Sequence, residues 1–321
     1  MKFFVTGGAG FLGSTFCDHA LAQGHEVLAF DNLETGFESF LEKAVKNPNF
    51  KFFRGDIRNS ADLDTSMSDF KADWVIHFAA NADVRRGTER PTRDLEYNTI
   101  GTSNVLESAR KSGVKRILFS STGSVYGEPE VFPTPEDCPF PVQTSFYAAS
   151  KLAGEALISA YVSGFGMTAL VFRFVSILGP RYTHGHVFDF IKALKKDSTQ
   201  LTVLGNGKQT KSYLHVEDLM AGLFLAINKA KEATFKIYNI GHDDALIVDQ
   251  SVSYITERLK MNPKIIHTGG ERGWVGDSPR IQLDTSALKS LGWLAKRSLR
   301  SAVEDTVDFL FENQNLLDGR D

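Results

Sequence analysis

Cysteine is scarce: two in 321 residues, Cys17 and Cys138, far apart and without a paired metal-ligand spacing. That excludes a disulfide framework and a zinc cluster as organising devices. It leads us to expect a reduced, cytoplasmic setting, packing roles for both thiols and no metal site. A surplus of either charge is also missing. Lys plus Arg number 36 against 39 Asp plus Glu, a formal net charge of −3, so there is neither a basic footprint for nucleic acid nor a polybasic anchor for a membrane. No stretch approaches the roughly 18 to 20 uninterrupted apolar residues of a membrane span. The opening Met1-Lys2-Phe3-Phe4-Val5-Thr6 meets a glycine cluster before a signal peptide's apolar core has room. Internal repeats and low-complexity segments are absent as well.

What is present is ordinarily globular, 42% hydrophobic and 23% charged, with enough chain for one large or two modest domains. In the first half, β-rich runs at Phe3 to Thr6, Glu26 to Phe30, Phe50 to Arg54, Trp74 to Phe78 and Arg116 to Ser120 alternate with helical spacing. The helical stretches are Gly10 to Gln23, Ser60 to Phe70, Thr92 to Gly113 and Ser145 to Phe165, with Gly113 and Gly164 as helix stops. Strands separated by helices imply right-handed β-α-β units and a parallel sheet. After Leu170 to Phe174 the pattern loosens into Gly179-Pro180 and a loop in which His184 and His186 read as solvated. A helix near Phe188 to Lys195, another over His215 to Asn228 and a strand over Lys236 to Ile240 follow, before a frayed tail from Asn315.

Val5-Thr6-Gly7-Gly8-Ala9-Gly10-Phe11-Leu12-Gly13 follows a short apolar strand and opens a helix, the context a dinucleotide fingerprint requires. Gly7 and Gly10 permit a tight turn and close backbone approach to a pyrophosphate, and Gly13 lets the helix lie close on the sheet. The helix N-terminus adds partial positive charge. The next apolar run ends at Asp31-Asn32, where the Asp31 carboxylate can accept from both ribose hydroxyls. It would repel a 2′-phosphate, and no arginine follows it directly, so NAD is expected over NADP. The fold class expected is α/β, a Rossmann-type doubly wound parallel sheet with a smaller α/β substrate-binding lobe. Residues 1–172 with 213–240 would form the NAD-binding domain and 173–212 with 241–321 the second lobe.

Tyr147 and Lys151 stand four apart at the start of a predicted helix, hence on one face. A phenol is a poor base at neutral pH, but a neighbouring ammonium and a nicotinamide's positive charge both favour phenolate. Tyr147 is then placed to take a proton from a sugar hydroxyl as hydride leaves the carbon. Thr122 ends the Ile117-Leu118-Phe119 strand, and strand C-termini face the ligand crevice of such sheets, so it is placed to bond the reacting oxygen.

These residues resemble the extended short-chain dehydrogenase/reductase family, especially nucleotide-sugar epimerases of the UDP-glucose 4-epimerase type. The resemblance rests on the glycine cluster, Asp56-Ile57, His77-Phe78-Ala79-Ala80, Asn98-Thr99-Ile100-Gly101-Thr102, Ser120 to Gly127, and Tyr147 with Lys151. It implies that Asp56 and Ile57 flank adenine, that Ala79 and Ala80 line the cofactor path, that Asn98 supports the site, and that Lys151 also binds the nicotinamide ribose. It further implies a homodimer, with the helices Thr92 to Gly113 and Ser145 to Phe165 paired into a four-helix bundle. In the second lobe, Gly179-Pro180-Arg181, Gly207-Lys208-Gln209, Tyr213 to Asp218 and Gly270 to Asp277 resemble stretches that line a nucleotide-diphosphate sugar. The substrate-facing candidates are Ser121, Ser124, Ser176, Lys211, Arg272 and Asp277. Ser176 stands where many relatives carry asparagine, and Lys211 where arginine is commoner, so Lys211 would meet a diphosphate as a point charge.

Related 4,6-dehydratases usually place Asp-Glu after the threonine. Gly123-Ser124 stands there instead, which disfavours dehydration. The expected reaction is NAD-dependent epimerisation at C4 of a nucleotide-diphosphate sugar through a 4-keto intermediate. A 4-dehydrogenase or reductase, acting on a GDP- or UDP-linked hexose or heptose, would use the same residues. A non-catalytic NAD(H)-binding protein would have no need of an activated phenol.

Overall fold

The computed structural model describes residues 1–82, 89–140, 142–143, 145–231, 234–273 and 280–318. The chain divides into two compact units. Met1–Val125, Val142–Arg173 and Leu223–Tyr238 make the first, and Tyr126–Pro141, Phe174–Gly222 and Asn239–Asp321 the second.

The first unit is organised by strands that are apolar on both faces, as a sheet covered by helices on both sides requires. They are β1 (Lys2–Thr6), β2 (Glu26–Asp31), β3 (Phe50–Arg54), β4 (Trp74–His77), β5 (Arg116–Thr122), β6 (Thr168–Phe174) and β7 (Phe235–Ile240), in the sheet order β7-β6-β5-β4-β1-β2-β3. The pairings of β1 with β2 and β4, of β2 with β3, and of β4 with β5 are parallel. Strand order therefore reverses between β1 and β4, whose ends meet at Thr6 opposite His77. That is the switch point at which open α/β sheets bind ligands.

Helix α1 (Phe11–Ala22) begins at the glycine turn, and α2 (Ser60–Phe70) at Asn59, whose side chain accepts from Ala61 N. The expected single helix from Thr92 to Gly113 is instead three pieces: a turn at Pro91–Asp94, a π-helical turn at Leu95–Ile100, and α3 (Gly101–Lys111). The wider π-turn lets consecutive Tyr97 and Asn98 both be buried. At Gly101 a Cβ would lie 2.5 Å from Ile57 Cδ1, so a side chain there would have to displace that of Ile57. Helix α4 (Phe146–Phe165) is capped by Ser145, which accepts from Ala148 N. It runs through Gly164 and stops at Gly166, whose left-handed φ of 63° ends it.

On one face of the sheet Phe4, Phe30, Leu63, Val105, Phe119 and Ile158 belong to one buried cluster. Phe3, Phe16 and Phe224 pack ring on ring in a second group, with Phe16 and Phe224 stacked 4.7 Å apart. Arg173 of β6 sends Nε and Nη2 to the two oxygens of Glu155 on α4, at 3.0 and 2.7 Å, and both side chains are buried. Glu155 also accepts the Ser121 hydroxyl, so one carboxylate joins α4, β5 and β6.

The second unit has three two-stranded ribbons. Ser176–Leu178 runs parallel to Tyr213–His215, Gln200–Val203 parallel to Lys264–His267, and Thr210–Lys211 antiparallel to Leu246–Ile247. Helices His186–Lys196, Val248–Leu259 and Leu299–Glu312 accompany them. His215 lies on a strand and not at the head of the following helix Val216–Lys229, because its Nδ1 accepts from Glu217 N and its Nε2 bonds Asp305 Oδ2. Among the described residues no helix is long and apolar enough to cross a membrane, and no His/Cys/Asp/Glu group is placed to hold a metal ion.

Removing one partner of a buried ion pair strands the other charge. Glu155→Ala is therefore expected to lower the unfolding free energy by about 3 to 5 kcal/mol, measured by urea titration. A loss under about 1 kcal/mol, as for a surface pair, would show that the Arg173 tie does not anchor α4.

Candidate active site

The glycine turn is built by contacts that leave no room for side chains. Gly7 has φ +68° and packs its Cα against the backbone of Ala79, and a Cβ on Gly13 would lie 2.0 Å from Gly7 O. Gly10, the residue before α1, caps the helix with no side chain, and no acidic residue sits in its first turn. The positive end of α1 therefore has no built-in anion, and a pyrophosphate fits there. Asp31, at the end of β2, is held by Ala9 N at 3.0 Å and Leu33 N at 2.8 Å, one to each carboxylate oxygen. Burial raises its pKa, and the two backbone amides oppose that.

Around Asp31 the chain gathers charges that lie far apart in sequence. Asn32 Nδ2 donates to Asp56 Oδ2 at 2.9 Å, and Arg58 grips both Asp56 oxygens through Nε and Nη2 at 2.9 and 2.6 Å. The Arg58 guanidinium holds the Asp56 carboxyl down at about 2. Glu34 accepts from the Tyr97 phenol and from Arg93 Nη2. Burial would raise Glu34, but Tyr97, Arg93 and Arg58 outweigh it and keep the carboxyl below its ordinary value. No arginine directly follows Asp31 in sequence, yet two reach the adjoining carboxylates Asp56 and Glu34, from the loop after β3 and from the turn Pro91–Asp94. Ile57 is buried, and its carbonyl accepts from Asn104 Nδ2 at 3.0 Å.

At the end of β5, the Thr122 side chain lies beside the Tyr147 phenol, and Thr122 Oγ1 accepts from Ser124 N at 3.1 Å. Lys151, one turn along α4 from Tyr147, is 2% exposed. Its Nζ donates to Ser120 O at 2.8 Å and lies 4.8 Å from the centroid of the Phe119 ring. Burial pushes Lys151 down to about 7, against the pull of the Asp94 and Glu155 carboxylates. Burial also pushes Tyr147 up to about 12, helped by Asp94 and opposed by the Thr122 hydroxyl. This differs from the expectation of a phenol already lowered by its lysine. Burial disfavours both charged forms, and the lysine spends its hydrogen bond on a backbone carbonyl. Ser121 is buried with its hydroxyl given to Glu155.

Sequence reasoning assigned no role to His77, which is fully buried beneath this site. Its Nδ1 meets Thr6 Oγ1 at 2.7 Å and its Nε2 meets Thr102 Oγ1 at 2.9 Å. Thr102 gives its single hydroxyl proton to Asn98 O at 2.6 Å, so it must accept from Nε2–H, and Nδ1 in turn accepts from Thr6. The ring is thereby fixed neutral. Asn98 continues the chain: its Nδ2 reaches Ser150 Oγ at 3.0 Å and Asn81 O at 3.2 Å, and its Oδ1 accepts from Asn81 N. Ala79 N points at Thr6 Oγ1 at 3.3 Å, and Ala80 follows on the same loop. Glu155 and Arg173 were likewise missed, although Glu155 continues the four-residue spacing of Tyr147 and Lys151.

The NAD dependent epimerase/dehydratase family matches residues 3–241. The chain belongs to that family. It is 32% identical to a putative UDP-glucose 4-epimerase of Methanocaldococcus jannaschii, over 96% of this chain and 98% of that one. It is also 32% identical to the UDP-glucose 4-epimerase of Mycolicibacterium smegmatis, over 98% of this chain and 100% of that one. The structure of Thermus thermophilus UDP-glucose 4-epimerase in complex with NAD superposes with a TM-score of 0.86 at 31% identity, covering 97% of this chain and 99% of that one.

The cofactor of this family is NAD, and the uncapped α1 terminus, the close glycine packing and the Asp31 carboxylate fit it. In the second unit, Ser176 is exposed on its ribbon opposite Tyr213, and Lys211 lies opposite Leu246. Arg272 Nη1 is paired with Glu128 Oε1 at 2.6 Å. Asp277 lies outside the described residues. His184 stays in the loop, partly exposed, whereas His186 does not. His184 stacks on Tyr182, and His186 opens a helix, stacks on Tyr213 at 4.8 Å and bonds Ser251 Oγ at 2.7 Å.

His77 is pushed down to about 3 from an ordinary 6.5, by burial and by the positive charge of Lys151. Below its ordinary value the unfolded chain takes up a proton that the folded chain refuses, so stability is lost as pH falls from about 6.5 towards about 3. Urea midpoints of wild type and His77→Asn are expected to converge between about pH 7 and about pH 5. A constant gap would contradict a neutral buried ring.

Proposed function

We propose that this family member epimerises C4 of a nucleoside-diphosphate sugar, with a UDP-hexose as the first substrate to test. The observation that carries the reading is the assembly of Thr122, Tyr147, Lys151 and Asn98 at the end of β5, beside a dinucleotide turn. In support, the relatives named above are UDP-glucose 4-epimerases. Thr122 is followed by Gly123-Ser124, so the position offers no carboxylate for eliminating water.

Gly7, Gly10, Phe11, Leu12 and Gly13 would hold the pyrophosphate, Asp31 and Asn32 the adenine ribose, and Asp56 and Ile57 the adenine. When bound, NAD supplies a hydride acceptor that returns the hydride, and a positive charge that favours the ionised form of Tyr147. The rest is done by the chain. Tyr147 takes the C4 hydroxyl proton, Thr122 holds the same oxygen, and the proton returns from Tyr147 after the 4-keto sugar has turned its other face. Lys151, anchored to Ser120 O, orients the nicotinamide ribose. A phenol at about 12 is a ready donor for the return step, whereas the forward step needs the added positive charge.

The first unit serves as the NAD-binding domain in this reading and the second as the sugar-nucleotide lobe, with Ser124, Ser176, Lys211 and Arg272 as substrate contacts. Arg272 would exchange its Glu128 partner for a phosphate. A homodimer is part of the proposal: Leu95, Ile100 and Phe165, on the helices expected to pair, are 50%, 46% and 53% exposed. A monomeric mass by sedimentation would count against it. Neither Cys17 nor Cys138 is in a disulfide, which suits a reducing cytoplasm.

The purified protein, supplied with NAD and a panel of nucleotide sugars, is expected to give the C4-inverted sugar without net NADH. Accumulating NADH with a keto sugar would replace the reading with a dehydrogenase. Tyr147→Phe is expected to lower turnover by about a hundredfold or more while sparing NAD binding. An undiminished rate would remove Tyr147 as the proton carrier.

A further inference from the structure

In dinucleotide sites of this type, an arginine near the acidic residue that ends the second strand is what accommodates a 2′-phosphate. Here, among the described residues, two arginines are tied to the loop that follows that residue, through Glu34 and Asp56, and both are occupied. Arg58 holds Asp56 with both arms of its guanidinium, and its Nη2 lies 3.6 Å from Glu34 Oε2. Arg93 Nη2 is paired with the other Glu34 oxygen. Both guanidinium groups lie over the Tyr97 ring, at 4.1 and 5.2 Å from its centroid, and the Tyr97 phenol donates to Glu34. Glu34 stands three residues beyond Asp31 and is tied back to the same loop, its N–H donating to Asn32 Oδ1 at 3.0 Å.

We propose that Glu34 determines the cofactor preference of this chain by keeping Arg58 and Arg93 from a 2′-phosphate. Counting Asp31, Glu34 and Asp56 against the two arginines, the cluster carries one net negative charge, which repels a 2′-phosphate. Without the Glu34 charge the cluster is neutral, and Arg93 can turn its planar donor fork to a phosphate while Arg58, still held by Asp56, adds its positive charge. One donor is already spare: Arg93 Nε is buried and has no hydrogen-bond partner among the described residues. Asp31 reads the ribose hydroxyls, and Glu34 sets the discrimination by adding a repulsive element against the competitor. The inference rests on the first unit binding NAD, and its readout needs no turnover and no knowledge of the sugar.

The test is the ratio of NADP to NAD dissociation constants for wild type and Glu34→Gln, measured by calorimetry on the full chain. Glutamine keeps an acceptor for Tyr97 and removes only the charge. Wild type is expected to favour NAD, and Glu34→Gln to narrow that preference about tenfold or more with NAD affinity retained. Adding Arg58→Met to Glu34→Gln is expected to move the ratio back towards wild type. The proposal is overturned by a wild type that binds both cofactors equally, or by a Glu34→Gln ratio that stays put, whether affinity for both holds or falls together. A ratio indifferent to Arg58→Met also overturns it.

Discussion

Lys151 carries an ammonium into a place that water barely reaches, and burial pushes it down to about 7 even against nearby carboxylates. Keeping even a partial charge there requires partners. The Ser120 carbonyl oxygen at 2.8 Å, the Phe119 ring face and the nearby carboxylates of Asp94 and Glu155 supply them. Each partner is itself held in place, Glu155 by Arg173 and Ser121, and Asp94 by donors from Asn81 and Asn98. A large share of the buried polar side chains described in the first unit thus serves one helix turn. A buried network of this kind is stabilising only when all its members are satisfied.

The same logic links the cofactor turn to the reacting end of α4. Thr6 ends β1 just before the glycine turn and bonds His77. His77 bonds Thr102, Thr102 bonds Asn98, and Asn98 bonds Ser150, the neighbour of Lys151. These successive short contacts across β1, β4, the π-turn, α3 and α4 fix the pyrophosphate loop relative to the tyrosine and lysine. Hydride and proton transfer need that rigidity, because the sugar carbon must face both groups at once.

Much of this was legible in the residues. The β-rich runs, the helical stretches from Ser60 and Ser145, and the Val5 to Gly13 turn all carry local signals, and they match β1 to β5, α2, α4 and the start of α1. The π-turn at Leu95–Ile100 was not legible, since its cause is the demand to bury adjacent Tyr97 and Asn98. The two- to four-residue ribbons of the second unit are too short for any periodicity, and His186 looked like a loop residue until its partners Tyr213 and Ser251 were in place. The charge cluster at Glu34 draws on segments more than twenty residues apart, so Asp31 could be read and its arginines could not.

The central claim is that one site takes the hydride of a single sugar carbon and the proton of its hydroxyl and returns both, with Tyr147 carrying the proton. The most direct measurement is turnover of a UDP-hexose bearing deuterium at C4. The account predicts an inverted sugar that keeps its deuterium at C4, with none in free cofactor. Deuterium appearing in released reduced nicotinamide, beside a keto sugar, would contradict it.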